Sequence, residues 1–409
     1  MKNILDRFLT YTRIDTQSAY NQETVPSTEK QKDLALLLVD ELRAMGAENA
    51  CMADNACVYG TIPANYENCS APSIGFSAHV DTTPELSGKD VKARVIKNYD
   101  GRDIILNEPE HVVMEVSKFS HLKNYIGNDL VVTDGTTLLG ADDKAGLAEI
   151  MDMIQFFYEN PEVKHGEIQL FFPSDEEVGC FGTKQLDKSK FSPAFAYTLD
   201  GGPIGEITYE CFNAAEANIT ITGVNIHPGL SKNQMKNAIL IANEFLNMLP
   251  GAETPGHTEK YEGYYHVIEF SGEVELAKLR LYLRDHDKLK LQERKNRIKE
   301  IADYLNKVYG ADTAECEISD TYGNMSEMII PHFEIVEAIQ NAMKSVDVKP
   351  FFIPMRGGTD GAIMSFKGIP CPNICTGGHN FHGRYEYVPV QSMEKISSIL
   401  IEIVKNYAE

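Results

Sequence analysis

The chain of 409 residues lacks the short signatures of several common enzyme classes. It has no GxSxG elbow, HExxH pair, GxxxxGK loop or GxGxxG turn. Serine hydrolase, single-zinc protease, P-loop and dinucleotide-binding readings therefore have no motif to stand on. It also lacks a CxxC pair: the eight cysteines (Cys51, Cys57, Cys69, Cys180, Cys211, Cys316, Cys371, Cys375) are scattered. That is the usage of reduced cytosolic thiols, not of a disulfide framework. Cys180 has no histidine close in sequence and no electropositive setting, so a packed thiol is expected there and not a nucleophile. No apolar run approaches membrane-spanning length. The opening MKNILDRFLTYTRIDTQ is broken by Asp6 and Arg7, which predicts an amphipathic helix and not a signal peptide. Basic residues are scarce, 38 against 60 acidic ones, for a formal charge of -22. That balance repels a phosphate backbone and makes nucleic acid a poor partner. A cytoplasmic protein without membrane or nucleic-acid partners is expected.

What is present is enough for two cores: 43% of residues are hydrophobic, and the length exceeds what one core usually holds. The segment TEKQKDLALLLVDELRAMG predicts a helix opened by Thr28 and Gln31 in capping-box spacing and stopped at Gly46. Apolar runs at CVYGTIP, SIGFSAHV, EIQLFFP and FAYTLD surround the helical DKAGLAEIMDMIQFFYEN, the pattern of a mainly parallel sheet with helices on both faces. After about Tyr209 the order becomes βαββαβ, the split arrangement of a ferredoxin-like unit. From about Met325 the earlier style returns. The expected fold is α/β: a catalytic domain of residues 1–209 and 325–409, interrupted by a smaller lid domain of residues 210–324.

Acids and histidines collect where strands should end. GFSAHVDTTPE places His79 and Asp81 two residues apart, on one side of an extended chain. LLGADDKAG supplies Asp142 and Asp143, PSDEEVG supplies Glu176 and Glu177, TLDGG supplies Asp200, and HNFHG supplies His379 and His382. Singly, each also fits an ordinary N-cap, turn or loop residue. Together, two imidazoles and three carboxylates make a nitrogen and oxygen donor set suited to zinc or a neighbouring first-row metal. If Asp142 bridges two divalent ions, each ion gains one histidine and one further carboxylate. Two such ions against three carboxylates leave one positive charge, which hydroxide neutralises. Glu176 is then a spare acid able to take a proton from an activated water, and hydrolysis is the expected chemistry. Asp81 is expected to accept the far N–H of His79 and fix its tautomer.

The strings GFSAHVDT, SGK, LLGADDKAGLAEIM, DEEVG, AYTLDGG, HPG, YEGYYH, IPMRGGTDGA and CPNICTGGHNFHGRYE run in order over nearly the whole chain. In these the sequence resembles the peptidase T family, tripeptide aminopeptidases related to carboxypeptidase G and aminoacylase among the di-zinc metallopeptidases. The resemblance implies two zinc ions per subunit, with cobalt or manganese able to substitute in vitro. It implies one ion on His79 and Asp200, another on Glu177 and His382, and Asp142 shared. Glu176 matches the family's general base, Asp81 its orienting aspartate, and the Asp142–Asp143 peptide a bond the family keeps cis. It further implies that His227 of the lid helps hold the tetrahedral oxyanion, that Arg356 and Arg284 receive the peptide's carboxylate, and that a homodimer can form through the lid. His379 stands where the family carries an aromatic residue. The function implied is removal of the N-terminal residue from tripeptides by a di-zinc-activated water. A di-zinc dipeptidase or N-acyl amino acid deacylase, and a non-catalytic metal-binding protein, are the alternatives.

Overall fold

The computed structural model describes residues 2–408, which form two compact units. The first holds residues 2–209, 327–353 and 359–408; the second holds Glu210–Ser326 and Pro354–Gly358. Along the first unit run α1 (Ile4–Thr12), α2 (Gln31–Ala44), β1 (Glu48–Met52), β2 (Val58–Ile62) and β3 (Ile74–Ser77). Short strands β4 (Arg94–Ile96), β5 (Ile104–Asn107), β6 (Val112–Met114) and β7 (Leu130–Val132) follow. Then come α3 (Ala141–Glu159), β8 (Ile168–Phe172), α4 (Phe181–Lys184), β9 (Phe195–Gly201) and β10 (Glu206–Thr208). The second unit contributes β11 (Asn213–Thr222), α5 (Ala238–Asn247), β12 (Tyr264–Gly272), β13 (Leu276–Asp285), α6 (Lys288–Tyr309) and β14 (Ala314–Tyr322). The chain continues through α7 (Ser326–Ile329), α8 (Glu334–Ser345), β15 (Phe351–Phe352), α9 (Asp360–Phe366), β16 (Asn373–Cys375), β17 (Tyr387–Pro389) and α10 (Val390–Ala408).

The main sheet has the order β1-β2-β8-β3-β9-β16-β10-β15. Its centre, β8-β3-β9-β16, is parallel throughout. The pairs β1/β2, β2/β8 and β16/β10 are antiparallel, so the sheet is mixed toward its edges. All four residues of β3 are buried, as expected of a strand covered on both faces. Alternation along β9 shows the two covers. A Cβ on Gly146 of α3 would lie 3.0 Å from the Leu199 Cβ, and one on Gly361 of α9 would lie 3.1 Å from the Thr198 side chain. Adjacent strand residues face opposite ways, so α3 and α9 lie on opposite faces. Gly146 is also what lets α3 lie directly on β9, close to the strand end that carries Asp200.

Two features depart from the sequence expectation. Thr28 and Gln31 do not form a capping box. α2 begins at Gln31 without a side-chain cap, and Gln31 instead sends its amide to Asp175 Oδ1 at 2.6 Å while Thr28 Oγ1 donates to the Gln17 carbonyl. A distant buried carboxylate competes successfully for a group that local spacing assigns to the helix end. The second is the region between β3 and α3, where β7 pairs with both β4 and β17 and β5 pairs with β6 over their own core of Tyr99, Leu106, Met114, Leu122, Val132 and Tyr387. These strands are three or four residues long, too short for alternation to register.

The second unit is one antiparallel sheet in the order β12-β13-β11-β14, packed against α5 and α6. Ala277, Leu279, Leu281 and Leu283 of β13 are buried on alternate positions and meet Ile298, Ile301, Ala302 and Leu305, one face of α6. Asp287 caps α6, accepting from the amides of Leu289 and Lys290 at 2.7 and 3.1 Å. Residues 354–358, expected in the catalytic domain, pack with this unit because Met355 donates its amide to the Glu210 carbonyl at 3.1 Å.

Candidate metal centre

In a parallel sheet all strands end at one edge, so the loops after β8, β3, β9 and β16 converge there. His79 follows β3, Glu176 and Glu177 follow β8, Asp200 is the next-to-last residue of β9, and His382 lies beyond β16. The first residues of α3 complete the set: Asp142 and Asp143 have non-helical dihedrals and a cis peptide between them. Asp175, Cys180 and His382, around the same edge, adopt left-handed backbone conformations uncommon for residues with side chains.

Two groups of side chains form, sharing one member. Ligand atoms of His79, Asp142 and Asp200 lie within 4.8 Å of one another, and so do those of Asp142, Glu177 and His382. Asp142 spans them: its Oδ1 is 2.9 Å from His79 Nε2 and its Oδ2 is 3.3 Å from His382 Nε2. His382 Nε2 is also 2.9 Å from Glu177 Oε2. On its far side, His79 Nδ1 lies 3.0 Å from the backbone carbonyl of Asp81 and 3.4 Å from its carboxylate. Asp81 thus orients the ring chiefly through its carbonyl, leaving Nε2 to face Asp142. Its carboxylate, fully buried, has another use: it accepts the amides of Glu176 and Glu177 at 3.0 and 3.3 Å and so holds the neighbouring loop.

Electrostatics show what the cluster accommodates. Burial, reinforced by Asp142, pushes the Glu177 carboxyl up to about 7 and that of Asp200 well above the carboxylate range. Hydrogen bonds to Asp142 and Glu177 push His382 up to about 11. Burial opposes a charge on His79, yet its bonds to Asp142 and Asp81 raise it well above its ordinary value. Burial likewise opposes ionisation of Asp142, yet bonds from His382 and His79 hold it well below the usual range. Crowded carboxylates therefore hold positive charge, here as protons on imidazoles. Glu177 Oε1 is buried with no hydrogen-bond partner. An unsatisfied carboxylate oxygen grouped with the His382 imidazole and the Asp142 carboxylate fits a cation, which can satisfy all three together.

Glu176 belongs to neither group. Burial, then the charge of Asp200, raises its carboxyl well above the ordinary range. The Cys180 thiol donates to its Oε1 at 3.5 Å. Cys180 is buried, and burial pushes its own pKa up, which makes it inert as a nucleophile. Nearby Asp360 is 1% exposed, keeps Oδ1 without a partner, and is pushed by burial to about 6.

His379 stands outside both groups. Its Nε2 is 2.7 Å from the Tyr125 hydroxyl, and its ring stacks on His121 and Tyr387, each at 4.8 Å. Burial, with the neighbouring His121, lowers its pKa to about 3. The unfolded ring titrates near 6.5, so between those values only the unfolded chain takes up the proton. This contribution leaves stability unchanged above about pH 6.5 and lowers it as pH falls toward 3, by roughly 4 to 5 kcal/mol in full. His379→Phe keeps the stacked ring but forfeits the Tyr125 bond, worth about 1 kcal/mol. Denaturant titrations should find the variant less stable than wild type at pH 7 and more stable at pH 4.5; the same ranking at both would exclude this role for His379.

The other expected residues lie in the second unit. His227 is exposed, and its Nδ1 accepts the Gly229 amide at 3.2 Å. Arg356 Nη1 donates to the carbonyls of Lys260 and Glu262 and its Nη2 to Thr258 Oγ1, at 2.8 to 2.9 Å, with the guanidinium over the Phe212 and Tyr264 rings. Two of its five N–H groups have no partner among the described residues. Arg284 Nη1 donates to the carbonyls of Ala215 and Leu283, and the guanidinium lies over the Tyr282 and Tyr322 rings. Sequence patterns did not single out Asp175, Asp360 or Glu386. Asp175 accepts the Ser27 amide and hydroxyl and the Gln31 amide, all at 2.6 Å, and Glu386 holds backbone amides beside Asp142. Their one sequence signal is closeness to ligand loops: Asp175 directly precedes Glu176, and Glu386 closes HGRYE four residues after His382.

A family model described as Peptidase family M20/M25/M40 matches residues 133–406. Over 408 residues, 100% of both chains, the sequence is 50% identical to Peptidase T of Halothermothrix orenii. Among solved structures, the aminopeptidase PepT from Bacillus cereus aligns with a TM-score of 0.79 at 23% identity, covering 100% of this chain and 98% of its own. A dinuclear metal binding peptidase of the M20 family from Bacillus subtilis aligns with a TM-score of 0.65 at 13% identity, covering 99% and 98%.

Proposed function

Because this chain belongs to peptidase family M20/M25/M40, we propose that it is an aminopeptidase releasing the N-terminal residue of tripeptides. Two zinc ions fit the donor set, one with His79 and Asp200, the other with Glu177 and His382, and Asp142 between them. When bound, such ions supply Lewis acidity that polarises a carbonyl and makes a water more acidic. The chain's own groups do the rest. Glu176 takes the proton of the attacking water and returns it to the leaving amine. A carboxyl whose burial raises its pKa suits a group that must hold the proton between the two transfers. Asp81 fixes Glu176 by its amide. His227, whose Nδ1 is occupied as an acceptor, keeps Nε2–H free to donate to the oxyanion of the tetrahedral intermediate. Arg356 and Arg284 receive the peptide's carboxylate through their uncommitted N–H groups, Arg356 in a fixed orientation. The cytoplasm is the proposed location, supported by eight cysteines that form no disulfide. Among the described residues no helix is long and apolar enough to cross a membrane.

The observation carrying this proposal is a half-buried carboxylate, Glu176, next in sequence to the ligand Glu177 and in neither ligand group. Its test is the release rate from an unmodified tripeptide, a dipeptide and an N-acetyl amino acid, with chelator-treated protein restored by zinc. The tripeptide should be cleaved fastest. Preference for the acetylated substrate would replace the aminopeptidase by a deacylase, and no cleavage of any of them would leave a metal-binding protein.

A further inference from the structure

Glu386 is 1% exposed and belongs to neither ligand group, and the hydrogen bonds of its carboxylate come from backbone amides. Its Oε2 accepts the amides of Leu139 and Gly140 at 2.7 and 2.8 Å, and its Oε1 accepts the amide of Asp142 at 3.0 Å. These amides lie just ahead of the regular part of α3, where Gly140 has a left-handed φ of 78° and Asp142 is non-helical. They have no turn of helix before them to supply acceptors, so the segment depends on an outside group for its shape.

The other end of Glu386 is equally constrained. It sits on the loop that carries His382, and that loop is closed on itself: the Glu386 amide donates to the Gly383 carbonyl at 3.2 Å, and Asn380 Nδ2 donates to the Tyr385 carbonyl at 2.9 Å. One carboxylate therefore fastens the segment bearing His382 to the segment bearing Asp142, whose side chains meet at 3.3 Å. The remaining group is secured by other means. His79 is fixed by its amide on Asp143 Oδ2 at 3.0 Å and by its ring on the Asp81 carbonyl, and Asp200 is part of β9.

From this asymmetry we infer that Glu386 is a positioning residue that sets the affinity of the cation held by Asp142, Glu177 and His382, and much less that of the cation held by His79, Asp142 and Asp200. The inference rests on the two-cation proposal above and adds a separate requirement to it. In Glu386→Gln one acceptor oxygen becomes an NH2 group that faces an amide donor, so Asp142 N–H or the Leu139 and Gly140 pair loses its partner while side-chain size is kept.

The test is a zinc titration of chelator-stripped wild type and Glu386→Gln against a competing chelator, with thermal melting of both zinc-free proteins. Wild type should take up two ions. The variant should bind its first ion within about threefold of wild type and its second roughly 10- to 100-fold more weakly, as for other residues that orient metal ligands, with similar zinc-free melting. An unchanged second affinity would overturn the inference. So would equal weakening of both sites, which is what general loosening of the fold produces. If wild type takes up only one ion, the two-cation proposal itself fails. Should the glutamine variant not fold, the same titration of Glu386→Asp decides: a shorter carboxylate cannot reach all three amides, and the same unequal weakening is expected.

Discussion

Replacing Glu176 by glutamine should lower kcat by about 10²- to 10⁴-fold, the usual contribution of a positioned acid–base group, while cation content stays at the wild-type level. The two halves of this result are independent. Glu176 lies outside both ligand groups, and its loop is held through its backbone amide on Asp81, so an uncharged isostere leaves the ligand geometry standing. What it removes is the carboxylate, outside both ligand groups, that is proposed to take a proton and return it. KM should change little, since the proton transfers occur in the transition state and not in the bound ground state. Metal analysis beside steady-state kinetics checks both halves. Loss of cations with the loss of turnover would make Glu176 a ligand, and unchanged kcat would require another base.

Asp142→Asn should empty both cation positions at once and take activity to background. Each oxygen of Asp142 serves a different group, Oδ1 beside His79 and Oδ2 beside His382. An amide offers one neutral oxygen and a donor in place of two anionic acceptors, and no rotamer satisfies both sides. The loss should exceed the roughly 10- to 100-fold that an orienting partner is worth. Cation-dependent stabilisation goes with it. Ligand present at 100 times its Kd contributes about 2.7 kcal/mol per site, so adding zinc should raise the melting temperature of wild type but not of the variant. Elemental analysis after dialysis gives the direct count. Retention of one ion by Asp142→Asn would confine Asp142 to a single group, whereas His382→Ala is the substitution expected to lose one ion and keep the other.

Much of this centre is legible in the sequence because its chemistry sits at strand ends. Runs such as SIGFSAHV and FAYTLD are mostly apolar up to the last residues of the strand, so the change to His79, two residues past β3, or to Asp200, next to last in β9, marks both the strand end and the functional loop. What stays illegible is the side chain that serves a distant backbone. The carboxylate of Asp81 was expected on its near neighbour His79, but it is spent on amides 95 and 96 residues away. Gln31 was matched to its own helix start, whereas its amide answers Asp175, 144 residues on. Glu386 is an ordinary acid in HGRYE until the fold brings Leu139 to Asp142 against it. Such bonds carry no periodicity and no fixed spacing. Arg356 shows the same limit from the other side: nothing local indicates that three of its donors are already committed to Thr258, Lys260 and Glu262.

His382 and Glu386 follow Asp200 by about 180 residues, with the whole second unit in between. At 5 to 20 residues per second, a ribosome needs roughly 10 to 40 seconds to cover that stretch. Throughout this interval the emerging polypeptide has Glu176 in hand but neither the histidine nor the clamp of the proposed second group, so on that assignment it is not yet able to hydrolyse small peptides around it. Hydrolytic competence arrives late in translation, after the intervening unit has been made.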